Sequence, residues 1–166
     1  MSRVILLDSG PMGYALTPAV NETHLRCSQW LEALILKPEQ IALAEIVDYE
    51  CRRGWIRHDN TAALASLDRA KATLRYIPIS TTAMIKAAEF WAASRKGGYS
   101  TTDDRRLDAD VILAAQGSVL ASAGHEVVVA TMNPKHLSRF IAAEERDKIT
   151  CGSASANRSA GSWPDA

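Results

Sequence analysis

The chain has 166 residues, of which 47% are hydrophobic and 23% are charged, a size and balance typical of one globular domain with a packed core. Basic and acidic residues number 19 each, so the zero net charge excludes a global attraction to nucleic acid but not a local basic surface. No apolar stretch approaches the roughly 20 residues of a membrane span, and the three cysteines are too widely spaced for a disulfide framework or a zinc motif, so we expect a reduced cytoplasmic protein without membrane contact.

Short apolar runs alternate with longer segments of helical periodicity along the chain. The elements expected in chain order are a strand over 3–7, a helix over 24–36, a strand over 41–43, helices over 45–57 and 60–75, a strand over 76–79, helices over 81–96 and 108–123, a strand over 126–131 and a helix over 134–143. Ser9, Gly10 and Pro11 indicate a turn after the first strand. Strands separated by helices favour an α/β fold, in which helices cover both faces of a parallel sheet.

Two residues and one biased segment refine this outline. Pro78 indicates that the third strand lies at an edge of the sheet or that the proline stands at the start of a strand. Gly124 is well placed to end the long helix before the last strand. The residues from 150 onward are small and polar, and such a segment cannot bury enough apolar area to order itself. We therefore expect one domain over residues 1–149 and a flexible tail over 150–166.

Polar residues stand where the strands of this sheet are expected to end. Asp8 follows the first strand, Thr131 and Asn133 lie at the end of the last one, and Asp110 opens the helix before it. In a parallel sheet these positions converge on the edge where α/β folds bind ligands. Two carboxylates 4 Å apart repel by about 4 kcal/mol at an effective dielectric near 20. Several acids together therefore favour a cation, and oxygen ligands without paired histidines or cysteines favour Mg²⁺ or Mn²⁺ and phosphodiester hydrolysis.

Four segments in this order and spacing resemble the PIN-domain family of nucleases, which includes the VapC-type toxin ribonucleases. They are VILLDSG at 4–10, EIVDYECRR at 45–53, LDADVILAA at 107–115 and VVVATMN at 127–133. The resemblance extends over residues 3–141. It implies a three-layer α/β/α PIN-like sandwich with a mainly parallel sheet, and Mg²⁺- or Mn²⁺-dependent endoribonuclease action on RNA. It also implies a homodimer and an antitoxin protein that holds a toxin member inactive.

The resemblance further implies three core metal-binding acids, namely Asp8, Glu50 and Asp110. Glu50 is preferred to Glu45 because the glutamate of the family lies deeper in this helix, four residues before a glycine such as Gly54. These three residues are the expected catalytic set.

Weaker candidates surround the three acids. Asp110 is preferred to Asp108 because the acid of the family precedes a pair of alanines by four residues, and Asp108 could still reach a second ion. Many members carry a fourth acid where this chain has Asn133, which could coordinate through its carbonyl oxygen but brings no charge. Thr131 could orient a water or a phosphate.

Some basic residues are candidates for contact with RNA phosphates; they are Arg52, Arg53, Arg95 and Lys96, together with Arg57, Arg105 and Arg106. These charges could equally be solvated, and Glu50 could simply pair with Arg53 on its own helix face. Asp8 could be a turn acid, Asp110 could stabilise a helix N-terminus, and Asn133 could cap the following helix. A PIN-like nucleic-acid-binding module without cleavage, or a structure-selective DNA nuclease, remains an alternative to the ribonuclease.

Overall fold

The structure is a computed structural model that describes residues 3–36, 40–98 and 104–149. Its elements in chain order are β1 (Arg3–Leu7), α1 (Ser9–Leu16), α2 (Glu22–Ile35), β2 (Gln40–Ala44), α3 (Glu45–Arg57), α4 (Thr61–Thr73), β3 (Arg75–Ile77), α5 (Thr81–Lys96), α6 (Asp104–Ser122), β4 (Glu126–Thr131), α7 (Pro134–Leu137) and β5 (Ala143–Glu145), followed by a 3₁₀ turn over Arg146–Lys148. The predicted tail and Cys151 lie outside the described residues, and the domain boundary stays a prediction. No helix in the described ranges is long and apolar enough to cross a membrane.

Five strands form one sheet in the order β3-β2-β1-β4-β5, and each pair of neighbours is parallel. The central strands are apolar along their length, with Val4–Leu7 and Val127–Ala130 buried, as expected for parallel strands covered by helices on both faces. The register pairs Ile5 with both Ile41 and Val128. The predicted α/β/α sandwich with a parallel sheet is therefore confirmed.

Local signals explain where several elements begin and end. β3 lies at the edge of the sheet, one of the two positions that Pro78 indicated, but the strand ends at Ile77 and Pro78 follows it. α6 ends at Ser122, and Gly124 follows it with a positive φ of 93°. Glycine adopts this backbone conformation without steric cost, which agrees with its predicted place at the end of the helix. The Asn21 side chain accepts a hydrogen bond from the His24 backbone N–H, so α2 begins two residues earlier than the periodicity indicated.

Three predictions about local structure are wrong. Ser9, Gly10 and Pro11 do not form a turn but begin α1, because Asp8 caps the helix and a proline in the first turn sacrifices no helical hydrogen bond. The helix predicted over 134–143 ends at Leu137, and residues 143–145 form β5 instead. Pairing with β4 outweighs helical propensity there.

The third wrong prediction concerns α6, which begins at Asp104 rather than near residue 108. Asp110 therefore does not open the helix but lies in its second turn. The alternative in which Asp110 serves only to stabilise a helix N-terminus loses its basis, because that effect fades within the first turn.

A network around a buried carboxylate joins α3 to α4 and β3. Asp48 is 4% exposed and accepts hydrogen bonds from Arg52 Nε at 2.8 Å, from Lys71 Nζ at 3.3 Å and from the Tyr76 hydroxyl at 3.3 Å. Arg52 also contacts the exposed Asp68 at 2.8 Å. Because a buried carboxylate is tolerated only with such partners, this network fixes the position of α3.

We expect Asp48→Ala to lower the free energy of unfolding by about 2–3 kcal/mol, since it leaves Arg52 and Lys71 without their buried partner. Asp68→Ala removes a carboxylate at the same 2.8 Å from Arg52, but this carboxylate is 64% exposed, so the expected loss is below about 1 kcal/mol. Urea denaturation of the two variants measures the difference. Equal losses would contradict a structural role for the Asp48 network.

Candidate active site

Asp8 lies at the carboxyl end of β1, where its side chain is held by two hydrogen bonds. Its Oδ1 accepts from the Ser9 backbone N–H at 2.7 Å, and its Oδ2 accepts from the Thr131 hydroxyl at 2.7 Å. The Asp8 backbone N–H donates to the Ala130 carbonyl at 3.0 Å. The residue therefore caps α1 and is not the turn acid of the alternative interpretation, and it also faces the end of β4.

Glu50 and Asp110 reach the same region from two helices that contact each other, α3 and α6. α3 starts directly after β2, which places Glu50 in its second turn. The Glu50 carboxylate is 3.7 Å from Arg53 on the same helix, so the predicted local pair is present. Asp110 Oδ2 is 3.8 Å from Nδ1 of His136, a residue of α7.

The three carboxylates act on one another electrostatically. Burial raises the pKa of Asp8, and the Thr131 and Ser9 hydrogen bonds only partly oppose this. Burial and then the charge of Asp8 raise the pKa of Glu50. Burial, followed by the charges of Asp8 and Glu50, raises the pKa of Asp110 to about 7, although Arg106 acts to lower it. The fold thus brings Asp8, Glu50 and Asp110 together in a region that disfavours their ionised forms.

The donor set fits a hard divalent cation in its chemistry. It consists of carboxylate oxygens, which Mg²⁺ and Mn²⁺ prefer, and a cation would relieve the repulsion that raises their pKa values. Within the described part of the chain, no group of three acidic, histidine or cysteine side chains has the arrangement needed to hold a metal ion. The fit therefore rests on the donor chemistry and the mutual electrostatic effect of the three acids.

Cys51 follows Glu50 in the sequence but has the properties of a structural thiol. It is buried, and its Sγ lies 3.9 Å from the Ser9 carbonyl oxygen. Burial and then the charges of Glu50, Asp8 and Asp48 raise its pKa to about 12. A thiol with this pKa is not ionised near neutral pH and is not a nucleophile.

The weaker candidates differ in their surroundings. Thr131 is buried and positions Asp8, while its hydroxyl oxygen also accepts from the Asn133 backbone N–H at 3.1 Å. Asn133 itself is exposed and precedes α7, but its side chain makes no capping hydrogen bond. Asp108 is exposed on α6. The structure thus joins Thr131 to the three acids and leaves the side chains of Asn133 and Asp108 facing solvent.

The predicted phosphate contacts are also placed differently. Arg53 lies beside Glu50, with its guanidinium 5.1 Å from the centre of the Tyr49 ring, whereas Arg52 is engaged in the Asp48 network. Arg95 stacks over Trp91 at 5.4 Å, and Lys96 is the exposed last residue of α5. Of these four cations, only Arg53 has a described contact with one of the three acids.

Sequence reasoning overlooked Gln116, a buried side chain that ties the helices of the site together. Its Nε2 donates to the Ile77 carbonyl of β3 at 2.7 Å, and its Oε1 accepts a longer bond, 3.4 Å, from the Ile46 backbone N–H of α3. Gln116 therefore connects α6, which carries Asp110, to α3, which carries Glu50. A polar residue within the apolar part of α6 was the available signal, since buried amides need partners.

The architecture that carries this site is the PIN-domain fold of the VapC type. No family model and no curated protein matches the chain, but solved structures of VapC toxins and VapBC complexes do. A structure of VapBC2 from Rickettsia felis, bound to a DNA fragment from its promoter, matches with a TM-score of 0.65 and 19% identity over 86% of this chain and 98% of the other. DNA-bound VapBC from Salmonella typhimurium matches with a TM-score of 0.64 and 20% identity, over 88% and 99%.

A third similar structure is VapC20 from Mycobacterium tuberculosis, which is described as a toxin that cleaves the sarcin–ricin loop. It matches with a TM-score of 0.57 and 14% identity, over 82% of this chain and 95% of the other. At these identities the likeness establishes the shared fold. The predicted resemblance is confirmed at that level.

We expect Asp110→Asn to stabilise the metal-free protein at alkaline pH. A carboxyl group whose pKa is raised by folding contributes most below its ordinary pKa near 4, and this contribution is lost as the pH rises through about 7. Asparagine resembles the protonated acid, so in a chelator at pH 8 the variant should gain roughly 1–3 kcal/mol in free energy of unfolding. The gain should shrink towards pH 4.

Asp108→Asn is the matched control, because Asp108 is an exposed acid on the same helix. Its free energy of unfolding should follow the wild-type pH dependence. Urea unfolding between pH 4 and pH 8 makes the comparison. If Asp110→Asn and the wild type were equally stable at pH 8, the claim that folding raises the pKa of Asp110 would be disproved.

Proposed function

We propose that this chain is a divalent-metal-dependent endoribonuclease whose catalytic carboxylates are Asp8, Glu50 and Asp110. The observation that carries the proposal is the convergence of these three partly buried acids at the carboxyl edge of the sheet, where the charge of Asp8 raises the pKa of Glu50 and the charges of Asp8 and Glu50 raise the pKa of Asp110. VapC20, which has the same fold, is described as a toxin that cleaves the sarcin–ricin loop. RNA is therefore the substrate class that we favour.

The residues of the site have different roles in the proposed reaction. Asp8, Glu50 and Asp110 would hold Mg²⁺ or Mn²⁺, which supplies positive charge against the phosphate and lowers the pKa of a bound water. The Thr131 hydroxyl and the Ser9 N–H fix the orientation of Asp8. Arg53 and Arg106 partly balance the negative charge through Glu50 and Asp110, respectively. Gln116 and the Asp48 network hold α3 and α6 in place.

The proposal extends to the protein partner. Structures from Rickettsia felis, Salmonella typhimurium and Haemophilus influenzae that share this fold are VapBC complexes. By analogy, we propose that this chain is the toxin of a type II toxin–antitoxin pair and binds an antitoxin that blocks the acidic site. The homodimer and the cytoplasmic location remain expectations of the same kind.

Neutralising any one of the three acids should abolish cleavage. We expect Asp8→Asn, Glu50→Gln and Asp110→Asn each to lower the rate of RNA cleavage roughly 100-fold or more, because each removes a charged ligand and its electrostatic stabilisation of the reaction. Gel analysis of labelled RNA in Mg²⁺ or Mn²⁺ measures the rates. Glu89→Gln, which removes an exposed acid paired with Lys86 on α5, should cleave like the wild type.

The outcomes of this assay separate the candidate functions. RNA that is cut equally well in a chelator, or by Asp8→Asn, would disprove the metal mechanism. Binding of RNA without cleavage in every divalent ion would favour the nucleic-acid-binding module, for which the uncharged Asn133 is the motivating feature. Preferential cleavage of branched or gapped DNA would favour the DNA nuclease.

Metal binding should also be visible without activity. A ligand that binds the folded protein at about 100 times its dissociation constant adds about 2.7 kcal/mol to stability, so Mn²⁺ should raise the wild-type Tm by several degrees. The rise should be much smaller in Asp8→Asn and Asp110→Asn but unchanged in Glu89→Gln. Differential scanning fluorimetry across a Mn²⁺ titration gives these shifts, and identical shifts in all four proteins would place the ion elsewhere.

A further inference from the structure

The segment over residues 131–136 connects two of the three acids. At its start the Thr131 hydroxyl donates to Asp8 Oδ2 at 2.7 Å, and at its end His136 Nδ1 lies 3.8 Å from Asp110 Oδ2. Between them, the Asn133 backbone N–H donates to Thr131 Oγ1 at 3.1 Å. This border segment, as we call residues 131–136, therefore lines the acidic site from Asp8 to Asp110.

Met132 is the large apolar side chain of the border segment, and it is 42% exposed. It packs over the first turn of α1, where a Cβ added to Gly10 would lie only 3.1 Å from Met132 Cγ. Glycine at position 10 thus leaves the space that Met132 occupies next to Asp8 and Ser9. A single exposed apolar side chain elsewhere would need no explanation, but this one lies on the rim of a charged site.

Two basic residues, Arg106 and His136, border the acids on the side of Asp110. Arg106 is exposed on α6, one turn before Asp110, and its charge opposes the rise in the pKa of that acid. His136 is 44% exposed in its side chain and can donate a hydrogen bond through its ring. The rim of the site thus combines one apolar surface with donors suited to phosphate oxygens.

We propose that the border segment is a contact surface for unpaired RNA, with Met132 against a nucleobase and Arg106 and His136 on phosphates flanking the cleaved bond. This proposal rests on the proposed ribonuclease function and names the form of RNA that the site accepts. The polarisable thioether of methionine packs well against an aromatic ring. Unpaired RNA exposes the faces of its bases, whereas a duplex hides them in the stack.

The size of the apolar feature at Met132 suits a single nucleobase, and a protein that covers the site, such as the proposed antitoxin, would need further contacts. Stable protein interfaces bury about 800 Å² on each partner, far more than one methionine side chain can supply. A single nucleobase, in contrast, needs only one apolar side chain to lie against. Contact of Met132 with a protein is a competing outcome, which the test below detects as a change in self-association.

Binding of a fluorescently labelled single-stranded RNA of about 12 nucleotides, measured by fluorescence anisotropy, tests the proposal. Asp8→Asn serves as the parent protein so that the RNA stays intact. We expect Met132→Ser to weaken binding of the single strand roughly 3- to 10-fold, Met132→Leu to restore most of the loss, and neither change to affect the same RNA annealed to its complement.

Arg106→Ala should weaken binding by a similar factor and reduce the dependence of log affinity on log salt by about one unit. Matched controls are Met84→Ser, because Met84 is 46% exposed on α5, and Arg26→Ala, because Arg26 is an exposed arginine on α2. Both control variants should bind like the parent. Circular dichroism and Tm should show that all variants are folded.

The inference and the proposed function fail in different ways. If the wild type cuts RNA but Met132→Ser and Arg106→Ala bind the single strand like the parent, the border-segment proposal is overturned while the ribonuclease stands. If no RNA is cut under any condition but the variants still lose binding as expected, the contact surface stands without the nuclease. Equal losses for single strand and duplex, or a loss confined to self-association in light scattering, would overturn the contact with unpaired RNA.

Discussion

The mutual repulsion of three partly buried carboxylates is the constraint on which the rest of this structure depends. The fold places Asp8, Glu50 and Asp110 so that burial raises the pKa of each acid, and neighbouring carboxylates add to the rise at Glu50 and at Asp110, whose pKa reaches about 7. Such an arrangement costs stability unless other interactions hold the elements in place. The parallel strands, the Thr131 hydroxyl and the Gln116 amide supply those interactions and leave the acids close together.

A comparison of two acids on α3 shows why this cluster differs from an ordinary buried charge. Asp48 is surrounded by Arg52, Lys71 and the Tyr76 hydroxyl at 2.8–3.3 Å. Glu50, two residues later, has the Arg53 guanidinium at the longer distance of 3.7 Å and a hydrogen bond from the Ser9 side chain. The first acid is satisfied by the protein itself and joins α3 to its neighbours. The carboxylate of Glu50 has less positive charge near it, and a bound cation would supply that charge.

The same contrast sharpens the interpretation of the basic residues. The positions of arginines and lysines in a sequence indicate only that contact with phosphate is chemically feasible, because a long side chain can turn to either side of its helix. Arg52 is engaged by Asp48 and Asp68, while Arg106 is near enough to Asp110 to affect its pKa. The basic residues beside the site therefore include Arg106 of α6 and His136 of α7.

The sequence by itself determined the α/β class, the parallel sheet and Asp8 as the acid at the end of β1, since these depend on local apolar runs, periodicity and the residues that interrupt them. Glu50, and the preference for Asp110 over Asp108, depended on the resemblance to PIN domains, because many acids in helices look alike locally. Tertiary structure alone decided that β4 recruits residues 143–145 as a strand, that Asp110 lies in the second turn of α6, that Gln116 joins α6 to α3, and that Met132 and His136 border the acidic site. These outcomes depend on contacts between residues far apart in the chain, and no local pattern encodes which of them will meet.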